Sequence, residues 1–172
     1  MYYNGEGLPK DYKEAVKWYT KAAEQGFATA QFTLGVMYRK GDGVPQDYVK
    51  AFKWNKLSAD QGYVKAQRNL AISYSKGDGV PQDYEKAFRL FKLLADQGDS
   101  IAQFSLGTMY DFGEGVPQDY EEALKWYRLS AEHGNANAPF NLGVMYYNGE
   151  GVPKDYKAVS YTHLRAHETG ND

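Results

Sequence analysis

Cysteine is absent from this 172-residue chain. Without it there are no disulfides, no thiolate metal sites and no cysteine nucleophile. Its absence does not fix the compartment, because many exported proteins also lack it. An excess of one charge is missing too: 20 Lys and Arg stand against 22 Asp and Glu, for a formal net charge of -2. A general nucleic-acid binder needs a strong positive excess, so that class of partner is set aside. No stretch approaches the roughly 18 to 20 consecutive apolar residues that a spanning helix requires, so membrane insertion is not expected. Two residue types are instead abundant, with 18 Gly and 16 Tyr.

Both abundances come from an internal repeat, the first thing to seek in such a chain. The string Gly-x-Gly-(Val/Leu)-Pro-x-Asp-Tyr begins at Gly5, Gly41, Gly77, Gly113 and Gly149, a constant period of 36 residues. Every glycine except Gly170 sits at a recurring position. Ten tyrosines occupy two repeat positions, one running from Tyr12 to Tyr156 and the other from Tyr2 to Tyr146.

Each unit reads as two helices. A first-type helix runs from about Ala28 to Lys40 and ends at Gly41, which accepts the left-handed backbone of a C-cap. Gly43, Val44 and Pro45 form the turn. Asp47 suits an N-cap, where its carboxylate accepts the orphan N–H groups of the next helix. A second-type helix runs from about Tyr48 to Gln61 and stops at Gly62. No window alternates in the manner of a strand, so the chain is expected to be all-α.

At about 100° per residue, Ala30, Gln31, Leu34, Gly35 and Tyr38 share one side of the first-type helix. Leu recurs at 34, 70, 106 and 142, and a small residue follows it each time at Gly35, Ala71, Gly107 and Gly143. Small residues there permit close helix–helix approach. On the second-type helix Tyr48, Ala51, Phe52, Asn55 and Ala59 share a face. One helix pair cannot bury such stripes alone, whereas stacked pairs can.

The run Ala30–Tyr38 (AQFTLGVMY), followed by Gly41–Tyr48 (GDGVPQDY), Ala51, Trp54, Ala59 and Gly62, resembles the Sel-one-like repeat (SLR, or Sel1-like repeat). This is a relative of the tetratricopeptide repeat (TPR). The resemblance covers residues 1–157. It implies an all-α fold: a right-handed superhelical α/α solenoid of about four and a half helix-turn-helix repeats, beginning mid-repeat. It also implies a non-catalytic scaffold or adaptor for protein–protein contacts. Many bacterial members are secreted or act at host interfaces. Cysteine-rich members have been credited with a β-lactamase-like hydrolase activity, which stands as the alternative. A structural spacer within a longer protein is the other.

This chain departs from the pattern in places. Leu90 replaces the Trp of Trp18, Trp54 and Trp126, and Asn55 stands where Tyr19, Phe91 and Tyr127 occur. The second unit is therefore expected to pack less well. Pro139 replaces the Gln of Gln31, Gln67 and Gln103, near a helix start where proline is tolerated. Met1–Gly7 repeats Met145–Gly151 residue for residue. The chain is thus expected to open at the end of a helix whose remainder is missing. That leaves periplasmic, secreted and cytoplasmic locations all open. After Lys157 the repeat fails, and 158–172 is expected to be a disordered or non-native tail.

Positions that vary between copies are free to specialise. On the first-type helices these include Phe32, Val36, Arg39 and Lys40, then Lys65, Arg68, Ile72 and Lys76. Ile101, Phe104 and Asp111 follow, then Phe140, Val144 and Tyr147. By resemblance this face lines a concave groove. Phe32, Phe104 and Phe140 would be its apolar anchors, and Arg39, Lys40, Lys65, Arg68 and Lys76 its basic cluster. Such a groove suits an extended peptide or a helix, with Arg and Lys pairing carboxylates. A protein or peptide partner and a monomeric chain are expected.

No catalytic residue, metal or cofactor is assigned. The Gly-Asp-Gly turns lack the strand–loop–helix context and the Gly-Lys-Ser/Thr of a phosphate loop. Asp47, Asp83, Asp119 and Asp155 lie on separate layers and read as N-caps. His163 and His167 have the i, i+4 spacing of a metal pair but fall in the tail. His133 stands at a helix end, where positive charge suits the dipole.

Overall fold

The computed structural model describes residues 10–151. Met1–Gly7, Asp155, His163, His167 and the 158–172 tail lie outside the described residues. Within them the chain is all-helical, with no strand and eight helices in consecutive helix-turn-helix repeats. In order these are α1 (Tyr12–Glu24), α2 (Ala28–Lys40), α3 (Tyr48–Asp60), α4 (Val64–Lys76), α5 (Tyr84–Asp96), α6 (Ser100–Phe112), α7 (Tyr120–Glu132) and α8 (Ala138–Asn148). Even-numbered helices are the first type and odd-numbered ones the second. The first-type boundaries match the sequence expectation. The second type ends one residue early, because Gln61 serves as the C-cap and Gly62 then takes a positive φ.

The punctuation works through hydrogen bonds. Gly41 sits in the left-handed region at φ 82° and returns its N–H to Met37 O. The Asp11, Asp47 and Asp119 carboxylates accept from N–H groups of the first turn that follows. Asp83 does the same for Lys86 N. The Asp47 and Asp83 carboxyls are held below their ordinary value of 3.8, chiefly by those backbone N–H donors. A depressed folded pKa contributes stability above the unfolded value and loses it as pH falls through the folded one. The contribution of these two caps is therefore full at neutral pH and disappears in acid below the usual aspartate range. Asp119→Ala should lower stability by about 1 kcal/mol. Urea melts of the variant and the wild type would show it as a shifted midpoint with an unchanged slope.

The chain divides into two compact units, Met1–Leu94 and Ala95–Asp172. In the first unit α1 packs on α2, α2 on α3 and α3 on α4. One core gathers Ala23, Ala30 and Leu34, with Val16, Tyr19, Tyr38 and Trp54 against them. A second gathers Ala59, Ala66 and Leu70, with Phe32, Phe52, Tyr63, Tyr74 and Leu90. Leu90 thus takes the repeat position that Trp54 holds one layer earlier. In the second unit α6 packs on α7 and α7 on α8. Its core is Ala123, Leu124, Tyr127 and Met145, flanked by Phe104, Tyr110, Tyr120 and Leu142.

The small residue after the repeated Leu lets these helices meet. A Cβ added to Gly107 would lie 2.6 Å from the Tyr127 ring, and one added to Gly35 would lie 2.7 Å from Asn55 Nδ2. Asn55 is buried at this contact, donating to Ala51 O at 2.9 Å and accepting from Asn69 at 3.3 Å. The second layer therefore replaces an aromatic contact with a satisfied polar one. Leaving either partner unmade there would cost the desolvation of a buried amide.

Candidate interaction surface

Four first-type residues of the first unit lie on α2: Phe32, Val36, Arg39 and Lys40. Their spacing of three to four residues puts them along one side of the helix. Lys65, Arg68, Ile72 and Lys76 repeat the pattern on α4. Lys40, Lys65 and Lys76 are exposed, while Arg39, Arg68, Val36 and Ile72 are half-buried. Among the described residues Arg39, Lys40, Lys65 and Lys76 have no carboxylate partner. The ion pairs that do form are short-range and exposed, as in Lys17–Glu14 and Lys56–Asp60. Such pairs are worth little in stability. These four cations on α2 and α4 thus keep their charge available to an outside carboxylate.

Phe32 is differently placed. It is half-buried, its ring centroid 5.2 Å from that of Tyr63, inside the core that holds Ala59 and Leu70. Phe104 is also half-buried in the second unit but has a different partner, with its ring 5.4 Å from that of Tyr127. Phe32 and Phe104 thus pack against other rings of their own units and contribute to stacking. Asp111 belongs to the same contact, because Tyr127 Oη lies 3.3 Å from its carboxylate and 3.2 Å from Thr108 Oγ1. Burial pushes the Asp111 carboxyl up, the Tyr127 hydrogen bond draws it down, and nearby Glu150 raises it again. Burial also raises the Tyr127 phenol.

Ile101 is exposed near the start of α6. Phe140, Val144 and Tyr147 are exposed on α8, where Pro139, Phe140, Gly143, Val144 and Tyr147 line an open depression of about 320 Å³. Pro139 stands in the first turn of that helix, as its sequence position implies.

Sequence reading missed a set of glutamines. Gln31 donates to Ala23 O at 3.1 Å and accepts from Gln61 at 2.7 Å, tying one second-type helix end to the next. Gln103 repeats the brace with Ala95 O and His133. His133 is thus the C-cap of α7 and a hydrogen-bond partner of this brace. The recurrence of Gln at 31, 67 and 103 was the available signal. A polar residue repeated on an apolar face points to a buried hydrogen bond. Among the described residues no group of His, Asp and Glu is placed to hold a metal ion, and no helix is long and apolar enough to cross a membrane.

Comparison with known proteins completes this picture. The Sel1 repeat model matches residues 1–27, 28–63, 64–99, 100–135 and 136–161. Among solved structures the chain is similar to c5321, described as a protective antigen present in uropathogenic Escherichia coli strains and displaying an SLR fold. It is 41% identical, over 99% of this chain and 36% of that one, with a TM-score of 0.82. It is also similar to a Sel1 repeat protein from Oxalobacter formigenes, at 36% identity over 99% of this chain and 70% of that one, with a TM-score of 0.79. Cysteine rich protein B of Helicobacter pylori shares the fold at 22% identity, over 77% of this chain and 96% of that one, with a TM-score of 0.56. The chain therefore spans little more than a third of the first of these relatives and over two thirds of the second. No curated protein matches it.

Proposed function

The chain belongs to the Sel1 repeat family, and on that premise we propose that it is a non-catalytic interaction module that binds an acidic peptide segment through the varying face of its early first-type helices. By resemblance this is the face that lines the concave groove. The observation that carries the reading is the set of cations on α2 and α4, at positions the repeat leaves free. Arg39, Lys40, Lys65 and Lys76 have no acidic partner among the described residues. Val36 and Ile72, half-buried beside them, would supply apolar contact. Charged groups of this kind steer encounter and select the partner, while the apolar contacts hold it. Repeat arrays expose such surfaces because each layer needs only its neighbours for stability.

Phe104→Ala would be a poor probe, because Phe104 packs on Tyr127 and its loss reports on stability. Lys65→Glu combined with Lys76→Glu changes only exposed charges. Binding to an immobilised panel of acidic and basic peptides should show retention of acidic sequences by the wild type, falling as salt rises. The double variant should lose about tenfold or more in affinity. Equal binding of wild type and variant, or no preference for acidic sequences, would remove the basis for this face as the binding surface.

A further inference from the structure

One set of repeat positions is built in two different ways. On α7, the Tyr127 hydroxyl lies 3.2 Å from Thr108 Oγ1 and 3.3 Å from the Asp111 carboxylate of α6. Asp111 is thereby committed to a contact inside its own unit. Two repeats earlier the same three positions are Asn55, Val36 and Arg39. The phenol, its hydroxyl partner and the acid have all changed together. Asn55 is short, and both its polar ends are engaged elsewhere. Its Nδ2 donates to Ala51 O at 2.9 Å, and its Oδ1 accepts from Asn69 at 3.3 Å. The Arg39 side chain has no hydrogen bond, ion pair or ring contact among the described residues, and only its backbone carbonyl is engaged by a side chain, Gln46 Nε2 at 2.7 Å.

The other cations of this face are placed differently. Lys40, Lys65 and Lys76 are exposed, and Arg68 has an interaction within the protein. Arg39 is half-buried and still without a partner among the described residues. A guanidinium holds five N–H donors in a planar fork that fits both oxygens of a carboxylate. Such a pair is stronger and more directional than one made by an ammonium group. Partial burial also shields it from the water and salt that weaken exposed pairs. We propose, resting on the acidic-peptide reading above, that Arg39 is the specificity-determining residue of this face. It takes one carboxylate of the peptide in a bidentate pair and so fixes the peptide's position, while the lysines of α2 and α4 act as point charges around it. The carboxylate is a Glu or Asp side chain or the peptide's own C-terminus. Asn55 keeps the fork free, because it stands where Tyr127 in its own layer brings a hydroxyl to the corresponding residue.

Substitutions that keep the charge separate this role from electrostatic steering. The probe is the acidic peptide best retained by the wild-type chain. Each of its carboxylates is replaced in turn, Glu by Gln, Asp by Asn and the C-terminus by its amide. One replacement should weaken wild-type binding by about tenfold or more. Arg39→Lys keeps the charge but not the fork, and should weaken binding of the parent peptide by a similar factor. The two losses should not add, because both remove the same contact. Lys40→Arg makes the reverse exchange at the next residue and should leave both the affinity and the pattern of replacements unchanged. Wild-type affinity in Arg39→Lys, or losses that add for every carboxylate, would overturn the proposal and leave the acidic-peptide reading in place. Retention of no acidic peptide by the wild type would remove that reading and this role of Arg39 together.

Discussion

Gly79→Ala should destabilise the first unit by about 3 kcal/mol or more, a large share of the stability of a small domain. Gly79 has φ +74°, and a Cβ there would lie 2.1 Å from Tyr48 O and 2.4 Å from its carbonyl carbon. The left-handed backbone alone costs a residue with a Cβ about 1–2 kcal/mol. The rest comes from the contact, because its partner is backbone at the first turn of α3 and has no rotamer by which to yield. Gly62→Ala separates the two effects. Its φ is +84°, yet a Cβ there would meet nothing within 4 Å. That variant should lose only the conformational part. Urea melts of both proteins, with amide exchange over α3, provide the measurement. Equal losses would show that the approach of turn to helix carries no energy.

Removing Tyr127 should be comparably severe in the second unit. Tyr127 is fully buried, with its ring against Gly107 and Phe104. Truncating a buried aromatic to alanine costs about 3–5 kcal/mol. Tyr127→Phe keeps the ring and gives up the hydroxyl's hydrogen bonds, with Thr108, Asp111 and Asn141, so about 1 kcal/mol is expected. The conservative variant has a second signature. The Tyr127 hydroxyl is what draws the Asp111 carboxyl down against burial and Glu150. Its removal should move the Asp111 titration further up, visible by carboxyl-carbon NMR. A carboxyl whose folded pKa is raised binds its proton more tightly in the native state. Its contribution to stability therefore grows as pH falls through that value. An unmoved Asp111 titration would mean that the hydroxyl does not act on it.

Both predictions rest on contacts between layers, and these were the least legible in the sequence. The period, the helices, the Asp caps and the Gly41 cap could all be read because each depends on residues adjacent along the chain. The close approach at Gly35 and Gly107 was also readable, since a small residue recurring on a leucine stripe has few other purposes. Gly43 and Gly79 read only as turn residues. Their second role needs the backbone of Tyr12 or Tyr48, which lies a full layer earlier. The candidate surface divided in the same way. Lys65 and Lys76 are exposed as a varying helix face suggests. Phe32 and Phe104 stand at a varying position too, yet they are half-buried against Tyr63 and Tyr127. A helical wheel places a residue on a side of its own helix and does not say which neighbour lies over that side.

The sequence by itself thus determined the all-α repeat, its helix limits to within a residue, its caps and its family. The family rests on the resemblance of the repeated motif, and the rest follows from backbone hydrogen bonding and side-chain periodicity, which act over a few residues and recur every 36. Only the tertiary structure decided that Tyr127 gathers Phe104, Gly107, Thr108 and Asp111 into one contact, that Gln31 and Gln103 brace successive helices, and that Phe140 and Tyr147 stay bare. Those outcomes depend on the distance and direction between helices. That geometry is set by the packing of whole layers against one another, and no residue carries it alone.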